Sequence, residues 1–252
     1  MHMRMVEVKV KEGLSSQLRS HYANRVITGL SEVRGCRYAG LLQEARHPDE
    51  CVSLTLWDSE EECRAYEKGG LFEKLLEETR PYLLESTESR IQLSQNLTLE
   101  YVPIPQEPVV TVMPVEATSN EPASNTSVGS PMWVRIISLK VKPGKMEEFS
   151  EFYVSHVIPR LRAVRGCRYV YLTGKAQRPD EILSVTSWDT KDDAERYEQS
   201  GAFGVLLRSA QHVLSDLYQW KQDDEKEGAV RSTTSDDPVV EQYTVLVSKS
   251  FK

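Results

Sequence analysis

The chain has 252 residues, 39% of them apolar and 27% charged, with a formal net charge of −7. That length suits two domains of about 100 residues each better than one. There is no basic run to give the footprint of a nucleic-acid binder and no stretch near the roughly 18 apolar residues of a membrane span, so small molecules or proteins are the expected partners.

The opening stretch MHMRMVEVKVKEG alternates apolar and polar residues. It therefore reads as a strand and not as a leader segment, and the cytoplasm is the expected location. Its apolar face carries Val6, Val8 and Val10. After Gly13 the spacing lengthens to that of a helix, with Leu14, Leu18, Tyr22, Val26 and Leu30 forming one stripe. Arg34-Gly35 suits the end of that helix, because glycine tolerates the left-handed conformation found there.

A second strand is predicted from Cys36 to about Gln43, then a turn at His47-Pro48-Asp49, then a third strand, CVSLTLW. Pro-Asp between two alternating runs is turn chemistry, so the two strands are predicted to form an antiparallel hairpin. Asp58, with Glu61 three residues on, reads as the cap of a following helix. That helix breaks near Gly69-Gly70 and resumes in LFEKLLEETRPYLLE, and a last strand is predicted in LTLEYV.

Sliding the chain on itself by 131 positions aligns Met3–Glu85 with Val134–Asp216 without a gap, giving 31 identities in 83 pairs. The hexapeptide VRGCRY, Val33–Tyr38, recurs at Val164–Tyr169, and Trp57-Asp58 recurs at Trp188-Asp189. The chain is a duplication of one domain. Between the copies lies a stretch rich in Pro, Ser, Thr and Asn, which reads as a linker. The expected organisation is residues 1–102, a linker at 103–131, and residues 132–252. A similar interruption, Lys221 to Pro238, precedes the last run, VVEQYTVLV, the counterpart of LTLEYV.

Each copy therefore reads β-α-β-β-α-β, an α+β ferredoxin-like unit with helices on one face of an antiparallel sheet. In the third strand Val52, Leu54 and Leu56 are apolar on one side, and Ser53, Thr55 and Trp57 occupy the other. Neither side looks fully solvated, so a second sheet is expected to cover the face without helices. The other copy can supply it.

The four cysteines, Cys36, Cys51, Cys63 and Cys167, form no CxxC pair and no His/Cys cluster at metal-ligand spacing. They read as reduced, packed side chains, and no metal is expected.

SLTLWDSEEECRAYEKGGLF and SVTSWDTKDDAERYEQSGAF, each following a helix and an RGCR junction, resemble the antibiotic biosynthesis monooxygenase (ABM) family over about 100 residues per copy. The resemblance implies a dimeric α/β barrel, formed here within one chain by two sheets packed face to face. It also implies either cofactor-independent oxygenation of a small aromatic or quinol-like substrate, with no cofactor, or a non-catalytic small-molecule-binding or structural role. Whether the chain is an enzyme stays open at this point, as does further association of the pseudo-dimer into a homo-oligomer.

The places of the haem-degrading branch's catalytic set hold Val6, Tyr66 and Leu76 in copy one, and Ile137, Tyr197 and Leu207 in copy two. Haem degradation is not expected. The strand tryptophan of the cofactor-free oxygenases is matched by Trp57 and Trp188, while the asparagine four residues upstream is replaced by Ser53 and Ser184.

The candidate catalytic residues are Trp57, Trp188 and His156. The candidate substrate-binding residues are Ser53, Thr55, Tyr22 and Tyr66, with Ser184, Thr186, Tyr153 and Tyr197, because a mixed aromatic and hydroxyl face beneath helices suits an aromatic ligand. Each position has a competing reading. The tryptophans can simply close the core, and the tyrosines can pack as core or rim. A helical histidine such as His21 or His156 can be a surface residue, with His156 preferred for a proton-transfer role because its helix, with Pro159 near the end, is closer to the family pattern. Arg37 and Arg168 read as an anion anchor or as arginines snorkelling from the sheet edge.

Overall fold

The computed structural model describes residues 1–93, 99–105, 109–118, 132–175, 178–214 and 239–251. The interruption at Lys221 to Pro238 lies outside the described residues. The chain packs as two compact units, Arg4–Thr111 with Leu246–Lys252, and Met1–Met3 with Val112–Val245.

In the first unit β1 (His2–Lys9) leads into a helix of three parts, α1 (Ser15–His21), a wider π turn (Tyr22–Val26) and α2 (Ile27–Ser31). Buried along it is a series spaced by four, Leu18, Tyr22, Val26 and Leu30, with Ile27 buried beside it. A helix of 3.6 residues per turn would rotate such a series off the sheet within a few turns. The π turn holds more residues per turn and brings all four back onto one face. Copy two repeats the device in α5 (Met146–Phe152), the π turn Tyr153–Val157 and α6 (Ile158–Arg162), with Phe149, Tyr153, Val157 and Leu161 buried.

The strands β2 (Cys36–Glu44) and β3 (Glu50–Trp57) form the predicted antiparallel hairpin. β2 enters it through a bulge between Cys36 and Tyr38. The helix α3 (Glu60–Lys68) starts one residue later than the sequence suggested. Ser59 is the cap, its Oγ accepting from Glu62 N at 3.2 Å. Asp58, expected in that role, instead accepts from Arg37 Nε at 2.6 Å, because the bulge turns Arg37 toward it. Copy two repeats both features, with Thr190 capping α7 (Lys191–Gln199) and Asp189 paired with Arg168. The arginines read as anchors or snorkels are ion-paired. Gly70, left-handed at φ 77°, separates α3 from α4 (Leu71–Thr79), and Gly201 does the same between α7 and α8 (Ala202–Ser209).

The main sheet of the first unit runs in the order β2-β3-β1, with the end of the chain's last strand beside β2, where Phe251 N donates to Arg37 O at 2.8 Å. Both faces of β3 are covered: Val52, Leu54 and Leu56 are buried on one side, Thr55 and Trp57 on the other. A separate two-stranded sheet joins β4 (Glu85–Leu93) to β5 (Leu99–Pro105). The segment expected to be the fourth strand of copy one thus forms a strand but pairs with β4.

The strand that joins a main sheet is β6 (Val109–Thr118), inside the stretch expected to be a linker. Its Val-Val-Thr-Val start has strong β propensity. Pro108 and Pro114 hide that signal, since proline within a run argues against a strand.

In the second unit β7 (Trp133–Lys140), β8 (Cys167–Lys175), β9 (Arg178–Trp188) and β10 (Val239–Ser250) pair in the order β10-β7-β9-β8. This is the fourth-first-third-second arrangement of a ferredoxin-like sheet. β6 extends it beyond β8, and Val115 N donates to Met1 O at 3.1 Å. Met113 is fully buried there, against Thr173. Helices and the sheet enclose one core that includes Phe149, Tyr153, Leu172, Trp188 and Tyr197. Among the described residues no helix is long and apolar enough to cross a membrane.

Candidate functional site

Each copy holds a narrow cleft between its helices and the hydroxyl-bearing face of its sheet. In copy one the helix stripe supplies Leu18, Tyr22, Val26 and Leu30, α4 supplies Phe72, Leu75, Leu76 and Thr79, and the sheet supplies Arg4, Val6, Ser53 and Thr55. In copy two the corresponding positions include Tyr153, Arg135, Ile137, Ser184, Thr186 and Phe203. The open volumes are small, ≈ 60 Å³ in copy one and ≈ 40 Å³ in copy two.

All eight residues expected to bind substrate line these clefts: Tyr22, Ser53, Thr55 and Tyr66 in the first, Tyr153, Ser184, Thr186 and Tyr197 in the second. A hydroxyl pair sits in each, Tyr22 with Ser53 at 2.8 Å and Tyr153 with Ser184 at 2.7 Å. Burial pushes the phenols of Tyr22 and Tyr153 well above their usual range, the serine hydrogen bond opposing it only in part. Burial likewise raises Tyr66, and raises Tyr197 to about 12. These are neutral phenols at physiological pH, able to donate but not to act as bases.

The candidate catalytic residues sit elsewhere. Trp57 and Trp188 are wholly buried and line neither cleft. Each packs behind the cleft tyrosine, with ring centroids 5.1 Å apart for Trp57 and Tyr66 and 5.2 Å for Trp188 and Tyr197. His156 is exposed, stacked on Phe152 at 5.0 Å and bonded through Nδ1 to Ser155 Oγ at 2.7 Å. It does not line the cleft of copy two.

Two residues not singled out above complete the site. Arg4 and Arg135 are each 2% exposed and reach the cleft from the first strand of their copy. The guanidinium of Arg4 lies 4.2 Å from the Phe72 ring centroid, and that of Arg135 lies 4.4 Å from Phe203. Each is fixed from behind by a carboxylate, Arg4 Nε donating to Glu67 at 2.8 Å and Arg135 Nε to Glu198 at 2.6 Å. Burial lowers the pKa of Arg135, while Glu198 counters it.

The sequence carried a signal for both. Arg4 and Arg135 match across the 131-residue offset, and each continues the apolar face of its strand (Arg4 with Val6 and Val8), where a charge is out of place. Glu67 and Glu198 match as well.

Chemically, each cleft is an apolar slot with a cation at one edge and neutral hydroxyl donors inside. Among the described residues its lining contains no carboxylate and no histidine. Nor does any group of three or more His, Cys, Asp or Glu side chains among the described residues stand ready to hold a metal ion.

A candidate monooxygenase of Lactobacillus acidophilus has a similar structure, with a TM-score of 0.67 at 8% identity, covering 99% of this chain and 95% of that one. A second candidate monooxygenase, from Fusobacterium nucleatum subsp. nucleatum, gives 0.65 at 11% identity over 99% and 94%. An anthrone oxidase-like protein gives 0.55 at 12% identity over 99% and 93%. At such identities the likeness is one of fold. No curated protein matches in sequence. The family described as antibiotic biosynthesis monooxygenase matches residues 1–78 and again residues 132–208, most of the chain in two segments, so the chain belongs to the ABM family as a tandem duplication of its domain.

Proposed function

We propose that this chain is a cofactor-independent monooxygenase acting on a small aromatic or quinol-like substrate bound in a cleft between helices and sheet. In this reading the substrate supplies both electrons. Dioxygen delivers one oxygen atom to a ring carbon, and the other leaves as water with two substrate hydrogens. The protein's part is to hold the ring between apolar walls, favour loss of its acidic proton and stabilise the anion while oxygen reacts.

The observation that carries the reading is the buried guanidinium facing a slot of apolar side chains and neutral phenols. With no carboxylate or histidine in the described lining, the cleft favours ionisation by electrostatics and not by a resident base. Tyr22–Ser53 and Tyr153–Ser184 supply the hydroxyl donors that stand in for the family's amide. Substrate entry must displace side chains, because a benzene-sized ligand occupies a cavity of about 150 Å³.

The test is oxygen uptake by the pure full-length protein with a reduced anthrone or a quinol. Uptake above the uncatalysed rate, reduced by Tyr22→Phe with Tyr153→Phe, is the expected result. Equality of wild type with the uncatalysed rate leaves the second reading, a non-catalytic small-molecule-binding domain. The absence of both tryptophans from the cleft linings favours that reading.

A further inference from the structure

The two clefts descend from one sequence but have diverged where a ligand would meet them. We infer that the cleft of copy one, and not that of copy two, binds a small ring anion of phenolate or enolate type, the anionic oxygen accepting from Arg4 Nη2. This deepens the substrate class proposed above and rests on that reading for its chemistry.

The first observation is an unused donor. Arg4 Nη2 is buried and has no hydrogen-bond partner among the described residues, although the same guanidinium pairs through Nε with Glu67. A buried charged donor left without a partner is costly. In copy two no atom of Arg135 is left buried and unpartnered among the described residues. There Glu198 takes Arg135 Nε and also Gln242 Nε2, at 3.3 Å. The carboxylate behind the corresponding guanidinium is thus shared between Arg135 and Gln242.

The second observation is the rim. The alignment that pairs Arg4 with Arg135 pairs Thr79 with Ala210 and His21 with Phe152. In copy one Thr79 Oγ1 donates to Leu75 O at 2.6 Å, so its contact with His21 Nε2 at 3.1 Å has the imidazole donating. The rim of cleft one is therefore polar and wettable. Phe72, Leu76 and Thr79, which roof it, are all partly exposed. In copy two the roof is apolar, with Leu207 and Ala210 buried at 8% and 3% exposure.

The ligand class follows from the contacts. The slot beneath the guanidinium is walled by Val6, Leu18, Val26, Leu41 and Leu75, which suits an uncharged ring body. A single Nη2 donor at its edge suits one anionic oxygen on that ring. A doubly charged phosphate would find no second cation in the lining among the described residues.

The probe is 4-nitrophenol, whose absorbance distinguishes phenol from phenolate, titrated with the full-length protein at fixed pH. The expected result is one phenolate bound per chain and an increased ionised fraction. Arg4→Met should weaken binding about tenfold or more, while Arg135→Met should leave it within about twofold. Because Arg4→Met removes a buried ion pair, Glu67→Gln serves as a second variant. It keeps the guanidinium and should raise the bound ionised fraction by removing the competing carboxylate.

No phenolate binding, two equivalents per chain, equal dependence on Arg135, or indifference to both Arg4→Met and Glu67→Gln overturns the inference. Arg4-dependent phenolate binding with no oxygen uptake sinks the monooxygenase reading and leaves this one standing. Oxygen uptake lost equally in the Arg4 and Arg135 variants does the reverse.

Discussion

The indole Nε1 of Trp57 donates to Thr55 Oγ1 at 2.8 Å, and 131 positions later Trp188 donates to Thr186 Oγ1 at 2.9 Å. Each threonine in turn sits 3.4 Å from the carbonyl oxygen of the arginine strand, Arg4 O or Arg135 O. The strand tryptophan is thereby tied to the strand that carries the cleft arginine, and its edge never reaches the cleft. Replacing Thr55 with Val keeps the shape and orphans a fully buried indole N–H, which costs about 1–3 kcal/mol. Trp57→Phe removes the donor and opens a void, with a loss of similar size. Urea unfolding of the two variants checks this: both should lower the midpoint, and Trp57→Phe, outside the cleft lining, should leave phenolate affinity within about twofold.

The recurring hexapeptide has its explanation in Gly35 and Gly166, left-handed at φ 80° and 86°. A Cβ on Gly35 would lie 2.1 Å from Glu62 Oε2, and one on Gly166 would lie 2.4 Å from Asp193 Cγ. Those carboxylates accept from the capping hydroxyls of Ser59 and Thr190, so the glycine clears space for the start of the next helix. Gly13, at φ 76° with nothing within 4 Å of the added Cβ, isolates the backbone cost alone. Gly13→Ala should lose about 1 kcal/mol, and Gly35→Ala should lose that plus a cap contribution of about 1 kcal/mol. Thermal or urea unfolding of the pair separates the two contributions, and equal losses would mean that Glu62 moves aside without cost.

Much of this architecture was legible because period and duplication speak together. Val6 and Val8, Leu18 and Tyr22, and the Pro48-Asp49 turn each predict their element, and the 131-residue offset repeats the evidence. The four strand hydroxyls of the clefts were legible because Ser53 and Thr55 alternate onto one face of their strand, and Tyr22 because it falls in the helix stripe. What was not legible lies where two signals conflict. β6 was hidden by its prolines, and the cap moved from Asp58 to Ser59 because a bulge at Arg37 claims the aspartate. Arg4 stands out in the sequence only as a charge repeated at Arg135 on an apolar strand face, and its place in a cleft shows only once its partner Glu67, 63 residues away, is beside it.

Burial raises the thiols of Cys36, Cys51 and Cys167 to about 12 and that of Cys63 to about 11. The thiolate is the reactive form, so native protein should react slowly with a disulfide reagent between pH 7 and about 9. All four should react at once in denaturant. Fast labelling of a native thiol, mapped by mass spectrometry, would reveal local opening of the element that carries it.

His21 ties the rim of cleft one to pH. Burial lowers its pKa from the ordinary value, with Glu78 raising it and Arg25 lowering it further, while Thr79 and the Tyr82 ring, 5.1 Å away, complete its surroundings. A histidine that binds its proton less readily when folded leaves stability unaffected above the unfolded value of about 6.5. As pH falls through that value the unfolded chain takes up the proton first, so stability declines, and the decline is complete below the folded pKa. Hydrogen exchange of α4 measured from pH 7.5 to 5 should therefore accelerate relative to the intrinsic rate in wild type. In His21→Gln, which keeps a donor for Thr79 Oγ1, that added acceleration should disappear, and its persistence would assign the effect to another group.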